Sequence, residues 1–243
     1  MSDLRKFLKA TFIDLDDIKT DQMKGIEIPP IQKEVSGEIT ALPEVDINNI
    51  KNPDIFDCIK NRRSRRGFTD KAISLHGLSF LLWSTQGVAR KLQDDKMTIR
   101  TVPSGGSRHP FETYLAVHRV DSLKPGIYRY LPMQHSLTFL FEDIDIQNKL
   151  IDGSLGQKFV GNCAVTFIWS AIPYRTEWRY SIASAKIILQ DSGHLCQNLY
   201  LACEALGLGT CAIGAYDQKK IDELLHLDGE DEFTVYLAPV GVC

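Results

Sequence analysis

The chain has no C-x-x-C pair, no Cys/His grouping with zinc spacing, no internal repeat, no low-complexity tract and no apolar run of membrane-spanning length. Each absence removes a class of function. Without metal spacing, the cysteines at 58, 163, 196, 203, 211 and 243 read as reduced structural thiols. No Ser-His-Asp or Cys-His signature marks a protein nucleophile. Neither a Walker loop nor a dinucleotide fingerprint is present. A net charge of −3 gives no global field to hold nucleic acid or an acidic membrane, so any binding is local. Residues 1–12 lack the apolar core of a secretory signal, which gives the expectation of a cytoplasmic protein.

What is present is an ordinary globular composition, 44% hydrophobic and 24% charged, on 243 residues, enough chain to bury a substantial core. Residues 1–50 read as an N-terminal extension, with a short helix near Leu4 to Ala10 and interruptions at Pro29, Pro30 and Pro43. Residues 51–243 form the second unit. Its first helix starts with Asn52 as N-cap and Pro53 and Asp54 in the first turn, and runs to about residue 63. A second, over 75–86, is capped by Ser74 and closed by Gly87. Strands are expected at 113–120, 126–130, 137–140, 163–171, 210–213 and 234–240, with helices at 144–151 and after Asp217.

The chain is organised around residues 178–214. Apolar or small residues at Ile182, Ala185, Leu189, Ser192, Cys196, Leu199, Cys203 and Leu206 alternate three and four apart, which predicts one long helix ended by Gly207. Its second half is apolar on several sides, as in a core helix or a subunit interface. The mixture of helices with early antiparallel and later isolated strands gives an α+β fold, a central mostly antiparallel sheet packed by helices.

Three stretches offer chemistry. Arg62, Arg63, Ser64, Arg65 and Arg66 place four guanidinium groups and a hydroxyl where a helix ends. Such a run stabilises a helix C-terminus, forms a solvated face, contacts nucleic acid, or captures phosphate through paired hydrogen bonds. Pro103, Ser104, Gly105, Gly106 and Ser107 are a plain turn, or a loop whose bare backbone approaches a ligand. Gly207 to Gly214 join a helix terminator to a strand end where a flat ligand could meet the backbone at Ile213 and Gly214.

In this order the stretches resemble the FMN-dependent nitroreductase superfamily, most closely its SagB/ThcOx-type dehydrogenase branch. The resemblance covers residues 54–241 and extends to Leu81-Leu82-Trp83, Gln86-Gly87, Pro125-Gly126-Ile127-Tyr128, Asp191-Ser192-Gly193-His194 and Val240-Gly241. It implies an intertwined homodimer with the long helix in the interface and FMN in two sites between subunits. By resemblance, Arg62, Ser64 and Arg66, with Arg63 adjacent, hold the phosphate and nearby atoms. Pro103, Ser104, Gly105 and Ser107 reach the flavin from the partner subunit, Gln157 reads its pyrimidine edge, and Ile213 and Gly214 lie at its redox-active edge. His194, mid-helix, reads as a packed structural histidine.

Peptide-modifying members of the branch, which oxidise azolines, carry a Lys-Tyr proton-transfer pair where this chain has Arg179-Tyr180. Guanidinium scarcely deprotonates, so Arg179 is a poor base and Tyr180 is the proton-handling candidate. The resemblance therefore implies electron transfer between NADH, NADPH or an organic donor and a nitro, quinone, azoline or peptide substrate. A catalytically silent flavin-binding scaffold that docks a peptide is the alternative.

Overall fold

A computed structural model describes residues 17–243. The expected helix at Leu4 to Ala10 lies outside the described residues. Strand β1 (Ile39–Ala41) comes first, and α1 (Ile55–Asn61) follows a 3-10 turn at Ile47–Asn49. The cap of α1 is Asp54, whose carboxylate accepts from Asp57 N, while Asn52 accepts from Asp54 N at 3.1 Å and so turns the chain into the helix instead of capping it. Helix α2 (Leu75–Gln86) is capped by Ser74 as expected. Gly87 closes it with φ −58°, so its reason is space: a Cβ there would lie 2.6 Å from Trp83 O.

A hairpin that the sequence did not announce follows, β2 (Val88–Leu92) and β3 (Met97–Arg100). Next come β4 (Phe111–Val117), β5 (Gly126–Leu131), β6 (Ser136–Phe141), α3 (Ile146–Gly153), α4 (Lys158–Gly161) and β7 (Val165–Ala171). The predicted long helix is two. Helix α5 (Tyr174–Tyr180) ends at Ser181, which has φ 41° and ψ −121°, and α6 (Ser184–Leu206) restarts after a 3-10 turn. Apolar spacing continued across the break, so periodicity alone did not reveal it. Gly207 ends α6 in the left-handed conformation, φ 68°. The chain closes with β8 (Gly209–Thr210), α7 (Gln218–Leu224) and β9 (Phe233–Gly241).

Seven strands form one sheet in the order β1-β6-β5-β4-β7-β9-β8, with every paired neighbour antiparallel. The late strands expected to be isolated are therefore part of it. Strands β4 and β7 are buried along their whole length because helices cover both faces. On one face Leu115, Val117, Phe167 and Trp169 pack with Leu78, Leu81 and Leu82 of α2 and Leu195, Leu199 and Cys203 of α6. On the other, Tyr114, Ala116, Ile168 and Leu237 meet Leu150, Val160, Ile221 and Leu224 from α3, α4 and α7. Neighbouring residues of β4 thus serve opposite cores, the period of two made visible.

Two histidines beside β4 are buried in neutral form. Burial, then the Arg100 guanidinium, drives His109 down to about 3, and burial, then Arg119, drives His118 down to about 4. Depressed histidine values favour the folded state above the ordinary value of 6.5, and that contribution drains away as pH falls toward 4 and 3. The thermal midpoint is therefore expected to fall on acidification from neutrality, and His118→Asn to fall less steeply; equal slopes would contradict the assignment.

Candidate functional site

Two groups of residues lie near opposite ends of α6. At its C-terminal end the chain leaves α1 and runs beside β8, with Ser64 bridged to Thr210 and Arg65 N donating to Thr210 O at 2.9 Å. This course sends the arginines different ways. Arg65 turns inward onto both oxygens of Glu204, at 2.9 and 3.1 Å. Arg63 donates to the carbonyls of Lys60 and Arg62, capping the end of α1. Arg62 stands over the Tyr200 ring at 5.1 Å and Arg66 over Phe159 at 5.7 Å. Among the described residues no carboxylate pairs with Arg62 or Arg66. The four guanidinium groups thus divide between anchoring the chain, at Arg63 and Arg65, and standing over aromatic rings without a carboxylate partner among the described residues, at Arg62 and Arg66.

Tyr200 ties this group together. Its hydroxyl is 2.8 Å from Ser64 Oγ and accepts from Ala212 N at 2.8 Å, joining the arginine stretch, α6 and the segment after β8. Ile213 is buried and exchanges backbone hydrogen bonds with Leu237. Gly214 is exposed, with open space where a Cβ would stand, so the chain's own packing does not demand glycine there. Gln157 donates to Ala215 O at 3.0 Å and to Ser154 O at 2.9 Å, which fixes its amide beside the same segment. The hydroxyl of Thr210, whose backbone bridges Ser64, is buried with no partner among the described residues.

The second group surrounds a cavity of about 540 Å³ lined by Pro103, Ser104, Gly105, Tyr180, Gln190, Asp191 and His194, among others. Asp191 holds the loop. Its buried carboxylate accepts from Ser104 Oγ at 2.6 Å and from Gly105 N at 3.3 Å, while Ser104 Oγ accepts from His109 N at 2.9 Å. Burial raises the Asp191 carboxyl above its usual range. The clamp stabilises an unusual backbone: Gly106, Ser107 and His109 all have positive φ, at 58°, 54° and 45°. Arg179 and Tyr180 press on this turn, and a Cβ on Gly106 would lie 2.6 Å from the Tyr180 hydroxyl and 2.9 Å from Arg179 Cδ. Only glycine admits that approach. His194 corrects the sequence expectation, because its side chain is 47% exposed on the cavity wall with Nδ1 3.9 Å from Asp191 Oδ1.

Arg62, Ser64, Arg66, Gln157, Ile213 and Gly214 are therefore brought together, whereas Pro103, Ser104, Gly105, Ser107, Arg179 and Tyr180 gather elsewhere. Asp191 and Tyr200, which anchor the two groups, stand nine residues apart in α6. That spacing puts them roughly 14 Å apart along the axis and on opposite sides of the helix. Sequence reasoning missed Asp191, Tyr200 and the Arg65–Glu204 pair. Only the helical offset of Tyr200 from Glu204, four residues, hinted that the two share a face.

No helix among the described residues is long and apolar enough to cross a membrane, and no cluster of His, Cys, Asp and Glu among them could hold a metal ion.

The sequence model described as "Nitroreductase family" matches residues 59–242. A Methanocaldococcus jannaschii protein named as a nitroreductase is 30% identical over 198 residues, 82% of this chain and 96% of its own length. An Anabaena variabilis protein also named as a nitroreductase shares the fold with a TM-score of 0.71 at 23% identity; the match covers 85% of this chain and 42% of that one. The Escherichia coli microcin synthetase McbBCD complex with truncated pro-MccB17 bound contains a chain alike at a TM-score of 0.62 and 18% identity, covering 98% of this chain and 86% of that one.

Two substitutions test the anchors. Asp191→Ala strands Ser104 Oγ and Gly105 N and is expected to cost about 1–3 kcal/mol, and Tyr200→Phe about 1–2 kcal/mol. Denaturant midpoints unchanged from the parent would show that neither anchor bears load.

Proposed function

The chain belongs to the nitroreductase family, and from that premise we propose an FMN-dependent oxidoreductase of the SagB/ThcOx-type branch, working as a homodimer with a flavin in each of two sites between subunits. One observation carries this reading: the anchors of the two residue groups expected around one flavin stand about 14 Å apart along α6 and on opposite sides of it. Antiparallel pairing of two α6 helices would bring the arginine end of one copy to the Pro103–Ser107 loop of the other. Exposed apolar residues at both ends favour such pairing, Ile55, Phe56 and Ile59 beside the first group and Ile182 and Leu189 near the second. An isologous arrangement completes both sites at once.

The residues suit the cofactor. Arg62 and Arg66, lacking carboxylate partners, would take its phosphate, with Arg63 adjacent and Ser64 and the unpartnered Thr210 hydroxyl supplying polar contacts. Gln157 would read the pyrimidine edge, and the open backbone at Gly214, beside Ile213, admits a flat ring. From the partner, Pro103, Ser104, Gly105 and Ser107 would close over it, held by Asp191. When bound, FMN would supply hydride and electron transfer from NADH, NADPH or an organic donor to an acceptor of the nitro or quinone type; an azoline-type substrate would instead be the donor, giving its hydride to the flavin, which a quinone-type acceptor then reoxidises.

The protein positions the reactants and handles the proton. Tyr180, against Gly106, is the proton donor or acceptor, and Arg179, stacked 5.6 Å from its ring, contributes fixed positive charge but no base. Azoline-type or peptide substrates enter on the branch resemblance and on the fold likeness to the microcin synthetase chain.

The first test is the visible spectrum after FMN loading and desalting, followed by anaerobic addition of NADPH. A retained band that bleaches is expected; a retained band inert to every donor would favour the scaffold alternative, and no retained band would overturn the flavin site. Arg62→Ala and Arg66→Ala are each expected to weaken FMN binding roughly 10- to 100-fold, the loss of a charge-assisted contact. Sedimentation should still report a dimer, and unchanged affinity in both variants would refute the phosphate assignment.

A further inference from the structure

Ahead of the family match at 59–242, residues 21–30 bond to the short helix α5, which carries Arg179 and Tyr180. That helix has little support of its own. Its cap residue is Pro173 with no side-chain cap bond, and it runs into the strained Ser181. The segment before the sheet supplies what is missing. Gln22 N donates to Trp178 O at 2.9 Å, the Trp178 indole N–H donates to Ile26 O at 2.9 Å, and the Tyr174 hydroxyl donates to Asp21 at 3.0 Å. Arg175 Nε donates to Pro30 O at 2.8 Å. The segment is then locked to the sheet, with Lys33 N donating to Glu112, the same carboxylate that pairs with buried Arg175 at 2.6 Å.

The far side of α5 faces the candidate site. Trp178 lies under the Arg108 guanidinium, 5.3 Å from ring to carbon, and Arg108 donates to Ser107 O at 3.2 Å. One residue, Trp178, thus touches the N-terminal segment through its carbonyl and indole nitrogen and the Pro103–Ser107 loop through Arg108. Its chain neighbours Arg179 and Tyr180 fill the space above Gly106.

We propose that residues 17–34 act as a strap whose function is to position α5, so that Trp178 sets the placement of Arg179 and Tyr180 over the Gly105–Ser107 turn. The strap touches no substrate and Trp178 is a positioning residue; the inference rests on the assignment of Tyr180 as the proton-handling group. Order in α5 comes from the strap because a seven-residue helix without a cap is not stable by itself. Loosening the strap lets α5 fray toward Ser181, and Tyr180 leaves its place while the arginine end of the site stays intact.

The test compares the parent, Tyr180→Phe, Trp178→Phe and Gln22→Pro. Trp178→Phe removes the indole donor but keeps an aromatic ring under Arg108, and Gln22→Pro removes the N–H that donates to Trp178 O and fixes the backbone of the strap at Asp21 and residue 22. Each protein is loaded with FMN, and amide exchange, FMN affinity and steady-state turnover with NADPH and 4-nitrobenzoate are measured. Loss of one such hydrogen bond is expected to speed exchange across residues 176–180 about tenfold, with residues 195–199 unchanged. The maximal rate is expected to fall toward that of Tyr180→Phe, at an FMN affinity within about twofold of the parent. Unchanged exchange in α5 overturns the strap, as does faster exchange with parental turnover while Tyr180→Phe is slow. Slow turnover accompanied by lost FMN affinity also overturns it, since the effect would then be general. A parent that binds no FMN, or a Tyr180→Phe variant that turns over normally, defeats the catalytic reading itself and leaves exchange to report the strap as a structural tie only.

Discussion

Helix α6 lies across one face of the sheet, burying Leu195, Cys196, Leu199, Ala202, Cys203 and Leu206 against β4, β7 and α2. Both candidate groups are anchored to it, through Asp191 and Tyr200. Each of the three leucines is worth roughly 1.5–3 kcal/mol in removal from water, so the helix is held far more firmly than the loops it carries. Near its start Ile187 and Asp191 fix the Pro103–Ser107 turn, with Gly105 so close to Ile187 that a Cβ would sit 2.4 Å away. Toward its end Tyr200 and Glu204 fix the arginine stretch. A rigid rod with one of the two candidate groups near either end fits the proposed pairing, because two-fold pairing brings unlike ends together.

Buried charge forms the second framework, and it is tied to the N-terminal segment. Arg175 and Glu112 are 3% and 2% exposed, and such a pair offsets its desolvation only when the remaining polar atoms are also satisfied. Pro30 O and Lys33 N supply two of those contacts, while Arg175 Nη1 is buried with no partner among the described residues. Close by, Glu232 accepts from Tyr114, Ser170 and Lys33. The strap is therefore part of the electrostatic solution of the sheet. Its removal would leave the buried Arg175–Glu112 pair without the Pro30 and Lys33 backbone contacts and Glu232 without the Lys33 ammonium, a larger penalty than the loss of a few surface contacts.

Much of the molecule was legible because local rules and the tertiary structure agree. Ser74 capping α2, Gly207 ending α6, the apolar run that became β7 and the antiparallel order of β4 to β6 follow from capping, left-handed glycine and alternation. Disagreements arose where a side chain answered to a distant partner. Arg65, which the resemblance left out of the phosphate group, is held by Glu204, whereas Arg63, which it placed beside the phosphate, donates to the carbonyls at the end of α1. His194 looked like a core residue because apolar neighbours flank it, but its angle around α6 faces the cavity. The break at Ser181 was hidden for a related reason: a positive φ on serine has no periodic signature.

By itself the sequence determined the family, through the ordered spacing of Arg62 to Arg66, Pro103 to Ser107 and Gly207 to Gly214, and the element types, through patterns that hold over a few turns or strands. Only the tertiary structure decided which arginines remain without carboxylate partners, that Asp191 clamps a strained loop, that the two residue groups stand on opposite sides of one helix, and that residues 17–34 grip α5. The physical reason is one of range. Propensity, capping and amphipathic spacing act over a few residues, whereas a buried ion's partner and a glycine's nearest neighbour are set by chain brought from tens of residues away.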